Sequence, residues 1–154
     1  MESELDNLDR RLLDELQRDA RLSYSALGRR VGLSQPAVAE RVRRLEDAGV
    51  LTAYRARIDR TRAGVAVTAF LRVQCTADRF QAVHRLSREL TAVLECHHIT
   101  GGDCFLIKVT AGTIARLERV IERFREHGDV VSSVVLSTVV EDKPVALPGA
   151  AADG

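Results

Sequence analysis

Leucines at positions 5, 8, 12 and 16 recur at steps of three and four, which predicts a helix through "DNLDRRLLDELQRDARLS" with Asp6 or Asn7 as its N-cap. The following "SYSALGRRVGLS" places Leu27 and Val31 on one side of a short helix that stops at Gly32. A third pattern, "SQPAVAERVRRLEDAGVL", opens with Ser34 as N-cap and Pro36 in the first turn, and closes at Gly49. Three helices within about 45 residues, the second and third joined only by "GLS", have the spacing of a helix-turn-helix. Beyond Gly49, Tyr54, Ala56 and Ile58 alternate with Arg55 and Arg57, which predicts a strand or small wing.

After the turn-like "DRTRAG" the periodicity changes. "VAVTAFLRVQC" reads as a strand, "DRFQAVHRLSREL" as a helix, "AVLECHHIT" and "CFLIKVT" as strands about the tight turn "GGD", "TIARLERVIERFREHG" as a helix and "VVSSVVLSTVVED" as a closing strand. The order β-α-β-β-α-β is the ferredoxin-like arrangement, so the fold class is α+β. The predicted division is a winged helix-turn-helix over residues 1–60, a ferredoxin-like domain over 61–144, and a flexible tail over 145–154, where "ALPGAAADG" has no periodicity. The first and last strands are apolar on both faces, so the face away from the helices needs a cover, most simply a second copy of the chain.

Charge sharpens this picture. The net charge of the 154 residues is +1, but residues 1–20 carry three arginines against seven carboxylates, whereas residues 21–62 carry ten arginines against four. A local basic block is the footprint of a polyanion-binding surface, with a solvated arginine-rich face as the competing reading. Hydrophobic residues at 45% and charged residues at 29% fit a soluble chain, and no apolar run approaches the roughly 20 residues of a membrane span. The acidic start "MESELDNLDRR" lacks the features of a signal peptide, so a cytoplasmic location is expected.

On a helical wheel the third helix buries Val38, Val42 and Leu45, while Ala37, Arg41 and Arg44 share a second stripe expected to face outward. A small residue at 37 admits the helix to a major groove of double-stranded DNA, and Arg41 and Arg44 reach base edges or phosphates. Ser34 and Gln35 stand at the helix N-terminus, where free N–H groups suit a phosphate oxygen. Arg55 and Arg57 on the wing contact the backbone. Arg43 is expected to pair with Asp47, and Glu40 to restrain Arg44.

From about Leu5 to Pro144 the chain resembles the Lrp/AsnC, or feast/famine, family of transcriptional regulators. The long piece is "LDRRLLDELQRDARLSYSALGRRVGLSQPAVAERVRRLEDAGVL"; looser ones are "ECHHITGGDCFLIKV" and "SSVVLST". The resemblance implies a DNA-binding regulator, not an enzyme, that recognises a pseudo-palindromic operator as a homodimer assembling further to an octamer. It also implies an effector, an amino acid or related small molecule, bound near the loop joining the second and third effector-domain strands. Here that loop contributes Gly101, Gly102, Asp103 and Cys104. Gly102 and Cys104 stand where acids are common in the family, with Asp103 between them. Ser132 keeps a hydroxyl where relatives often carry Thr near the ligand.

The crowding of "CHHITGGDC" raises another possibility, a metal- or thiol-redox-responsive regulator using Cys96, His98 and Cys104. Cys96 and His98 share one side of a strand, but a fourth ligand and a Cys-x-x-Cys spacing are missing. No cofactor is called for, and the three cysteines argue against a disulfide framework. An amino-acid-binding regulatory subunit of an enzyme is a further alternative, for which Asp103 with His97 or His98 is too thin a constellation.

Overall fold

The computed structural model describes residues 5–102 and 104–148, which divide into two compact units. One comprises the chain up to Ala56 together with the segment from Val140; the other is Arg57–Val139.

In the first unit, helices α1 (Asn7–Arg18), α2 (Tyr24–Val31) and α3 (Gln35–Asp47) enclose a core of Leu12, Leu16, Leu27, Val31, Val38 and Val42. Each entry is specified by a side chain. The Asp6 carboxylate accepts from the N–H of Asp9 at 2.8 Å and the Asp9 carboxylate accepts back from the N–H of Asp6, a reciprocal capping box. The Ser23 and Ser34 hydroxyls accept from the N–H groups of Ala26 and Ala37. The turn between α2 and α3 closes on Gly28, whose carbonyl accepts from both Gly32 and Leu33. Gly32 sits at φ 79°, a left-handed exit that costs glycine little. A Cβ on Gly28 would lie 2.4 Å from the Leu33 carbonyl oxygen, so the chain can turn this tightly only with glycine there.

The wing is a correction. Residues 50–58 form no strand, although Tyr54, Ala56 and Ile58 alternate as a strand would. Alternation gives a strand only where a second strand completes its hydrogen-bond ladder, and none of the described residues does so here. Tyr54 instead donates its hydroxyl to the Glu46 carboxylate of α3 at 2.8 Å. Burial and that carboxylate hold the phenol well above its ordinary pKa. The tail also differs from expectation at its start: Val145 exchanges two hydrogen bonds with the Gln17 side chain of α1, at 2.8 and 3.2 Å. Residues 149–154 lie outside the described residues.

The second unit is a four-stranded antiparallel sheet in the order β2-β3-β1-β4, with β1 Val67–Gln74, β2 Val93–His98, β3 Phe105–Ala111 and β4 Asp129–Val134. Helices α4 (Phe80–Glu89) and α5 (Ile114–Arg125) cover one face, as the ferredoxin-like reading requires. Ala69, Leu71 and Val73 of β1 and Phe105, Ile107 and Val109 of β3 meet Val83 and Leu86 of α4 and Leu117, Ile121 and Phe124 of α5. The opposite face of β1 presents Thr68, Phe70, Arg72 and Gln74, less apolar than the sequence pattern promises. Beyond β4, the large apolar side chains of Leu136 and Val139 are 98% and 94% exposed.

Candidate nucleic-acid interface and effector loop

The first turn of α3 is open to solvent: Ser34, Gln35 and Pro36 are exposed and Ala37 is half-buried. Pro36 lacks an N–H and occupies a position where that group would have no intrahelical partner. With the Ala37 N–H taken by the Ser34 hydroxyl, the Gln35 N–H and the positive end of the helix dipole remain at this open turn, a geometry suited to a phosphate oxygen.

The stripe behind this turn faces outward only in part: Arg44 is exposed, whereas Ala37 and Arg41 are half-buried. The Arg41 guanidinium donates to the Asp6 carboxylate at 2.6 Å and to the Asp9 carboxylate at 2.8 Å. Arg44 donates to both oxygens of Asp9 at 3.0 Å. The Asp9 side chain is only 4% exposed, and two arginines satisfy its oxygens. A carboxylate withdrawn from water at the start of α1 needs such compensation, and only Arg41 and Arg44 of α3 reach it. The hydrogen bond from the Asp9 N–H and then the Arg41 guanidinium keep Asp6 below the usual carboxylate range, and the two aspartates raise Arg41 above its ordinary value.

Local pairings on α3 also depart from expectation. Arg43 donates to Glu40 at 2.8 and 2.9 Å, three residues back, rather than to Asp47, and Glu40 is thereby unavailable to Arg44. Both side chains of the Arg43–Glu40 pair are 67% exposed, so the pair is weak and exchangeable. Arg55 is exposed and has no partner among the described residues. Sequence reasoning missed Asp6 and Asp9 as the groups that hold Arg41 and Arg44. The acidic bias of residues 1–20 beside the basic block was the available signal.

In the second unit the β2–β3 connection carries Gly101, at φ 114°, and Gly102, both exposed. Asp103 lies outside the described residues. Cys104 is half-buried; its N–H donates to the Val73 carbonyl and its thiol to the Cys75 carbonyl at 3.0 Å. Burial, and then the neighbouring Cys104, push the Cys75 thiol up to about 11. Ser132 lies on β4 in register with Leu71 and is exposed. Because β1 separates β4 from β3, one chain does not bring Ser132 beside the loop.

The Cys96, His98 and Cys104 side chains of the metal and redox alternative do not converge. The Cys96 thiol accepts from the Ser87 hydroxyl at 3.3 Å, and His98 stacks on Phe105 with centroids 5.1 Å apart. Cys104 points to Cys75 instead. Among the described residues no three His, Cys, Asp or Glu side chains gather to hold a metal ion. His97 is 3.3 Å from Glu95, which also accepts from Lys108 at 3.1 Å. The lysine is the chief reason that Glu95 sits below its ordinary range.

Comparison with known proteins fits this two-part geometry. Residues 5–46 match the AsnC-type helix-turn-helix domain, and residues 68–145 match the Lrp/AsnC ligand binding domain. The chain is 39% identical over 134 residues to the HTH-type transcriptional regulator YezC of Bacillus subtilis, covering 87% of this chain and 95% of that one. It is 33% identical over 147 residues to the HTH-type transcriptional regulator LrpA of Mycobacterium tuberculosis, covering 93% and 97%. Among solved structures, the transcriptional regulator NMB0573/L-Met complex from Neisseria meningitidis superposes with a TM-score of 0.88 at 27% identity, covering 94% of this chain and 97% of that one.

Proposed function

The chain belongs to the Lrp/AsnC family of transcriptional regulators, and on that premise we propose that α3 docks in the major groove of a pseudo-palindromic operator through its open first turn. The observation that carries this reading is that turn: Ser34, Gln35 and Pro36 are exposed, with the positive end of α3 unopposed by any carboxylate of its own first turn. Ser34 and Gln35 take phosphate oxygens or a base edge, and Ala37 allows close approach. Arg44, still 55% exposed while bound to Asp9, reaches a phosphate, as does Arg55. Arg41, with its side chain 23% exposed and held by two carboxylates, sets the angle of α3 on α1 rather than reading a base. The protein acts in the cytoplasm.

The second unit is read as the effector domain. A structural neighbour is a complex with L-Met, which supports an amino acid or related small molecule as the effector here. The Gly101–Gly102 turn, Asp103 and Cys104 form its loop, and Ser132 joins from another copy of the chain, since within one chain β1 intervenes. A homodimer, assembling further to an octamer, is the form in which such a site is completed.

The test is quantitative binding to operator DNA found by genome-wide footprinting. If a dimer neutralises about 8 phosphates, log affinity against log salt should fall with a slope near −7. Gln35→Ala should weaken operator binding by about 1 to 3 kcal/mol while sparing binding to random DNA. Equal loss on both DNAs would refute base reading by Gln35.

A further inference from the structure

A second recess lies in the effector unit at the end of the β2–β3 hairpin opposite the Gly101–Gly102 turn. It is an open cleft of about 620 Å³ between the Leu90–Ala92 turn, the Thr110–Gly112 end of β3 and α5. Arg116, Arg119 and Arg123, spaced three and four apart on α5, form one wall. Val65, Leu90, Ala111 and Val120 supply apolar surface, and no carboxylate lines the cleft.

Two features are unfavourable as they stand. None of the three guanidiniums has a carboxylate partner among the described residues, although Arg125 of the same helix pairs with Glu122. Glu118, Glu122 and Glu126 stand on or beside the same helix, but none bonds these three guanidiniums, which line one stripe of α5 as like charges. Arg116 also stands in the first turn of α5, where the helix dipole disfavours a cation. An anion in the cleft relieves both. The recess is kept open beside Arg116 by Gly112: a Cβ there would lie 3.0 Å from the Gly64 carbonyl oxygen and 3.8 Å from an Arg116 guanidinium nitrogen.

We infer that this cleft is a second ligand site, distinct from the effector loop, for a small organic anion with at least two negative charges, carried on carboxylate or phosphate groups, and a short apolar stem. Arg119 and Arg123 bind the anionic groups, bidentately where the geometry of a carboxylate or phosphate allows, and Arg116 binds beside the α5 N-terminus. The stem lies on Leu90 and Val120. A zwitterionic amino acid is a poor match, because the cleft offers its ammonium no carboxylate.

Calorimetry on the full chain at fixed ionic strength tests the inference with glutarate, phenyl phosphate and uncharged glutaramide. One or both dianions should bind at one site per chain, at least about tenfold tighter than glutaramide, and whichever binds identifies the source as carboxylate or phosphate. The double variant Arg119→Gln, Arg123→Gln should lose about tenfold of that affinity at an unchanged melting temperature. Should the double variant fold poorly, Arg119→Gln alone and the glutarate–glutaramide contrast on the unaltered chain carry the test. Absence of binding by both dianions, equal binding of glutaramide, or undiminished binding by a folded variant would each overturn it. So would a ligand-free variant whose operator affinity falls by the same factor, because the arginines would then be serving the phosphates of DNA.

Discussion

Asp9 illustrates how one side chain can join several functions. It closes the capping box of α1, accepts from Arg41 and Arg44, and is 4% exposed, so its removal leaves Arg41 with Asp6 alone and Arg44 with no carboxylate. Breaking a buried pair costs about 3 to 5 kcal/mol, but Arg44 is more than half exposed and rehydrates, so Asp9→Asn should destabilise the first unit by about 2 kcal/mol. Urea unfolding checks this, with Arg44→Ala, expected to cost under about 1 kcal/mol, as the comparison. The pH dependence has a defined sign. Asp6 has its folded pKa depressed by the Asp9 N–H and Arg41, so its contribution is present above its unfolded value, about pH 4, and is lost as pH falls through the lower folded value. Stability of the first unit should therefore drop on acidification below about pH 4, and Asp6→Asn should flatten that drop. An unchanged acid transition in Asp6→Asn would remove Asp6 from the account.

At the scale of elements, the α2–α3 turn tolerates little change. A methyl group on Gly28 would press on a backbone carbonyl, which cannot rotate away as a side chain can. Gly28→Ala is expected to destabilise by about 2 kcal/mol or more and to reduce operator affinity by displacing α3, whereas the same change at exposed Gly102 should leave the melting temperature unaltered. Thermal melting and anisotropy with operator DNA measure the two effects. The turn itself was readable in the sequence, because the Ser34 cap, the stop at Gly32 and the positions of Leu27, Val31, Val38 and Val42 are local signals. The ferredoxin-like order was readable for the same reason. What the sequence hid were partners distant along the chain. A helical wheel gives the direction of Arg41 but not what stands opposite, and Asp9 is 32 residues away. The alternation through Tyr54 and Ile58 likewise could not reveal that no strand among the described residues pairs with this segment to complete a wing. Ser132 was placed near the effector loop by resemblance, and the strand order shows that one chain alone does not gather them.

For the whole molecule, the remaining imbalance is apolar. Val131, Val134, Leu136, Val139 and Val140 are all more than 45% exposed within ten residues, an arrangement that isolated soluble chains rarely tolerate. On the proposed reading, a second copy of the chain would cover this segment, supply two α3 helices for a pseudo-palindrome and bring another Ser132 to an effector loop. Sedimentation at micromolar concentration should accordingly give a dimer or a multiple of it. Leu136→Asp with Val139→Asp should yield monomers with unchanged helix content, because both side chains lie outside the cores. The same variant separates assembly from recognition: with one α3 per binding unit, the salt slope should halve from near −7 to about −3.5, and operator affinity should approach that for random DNA. A monomeric unaltered chain, or a monomeric variant that keeps the full slope, would mean that this apolar segment serves some purpose other than pairing the recognition helices.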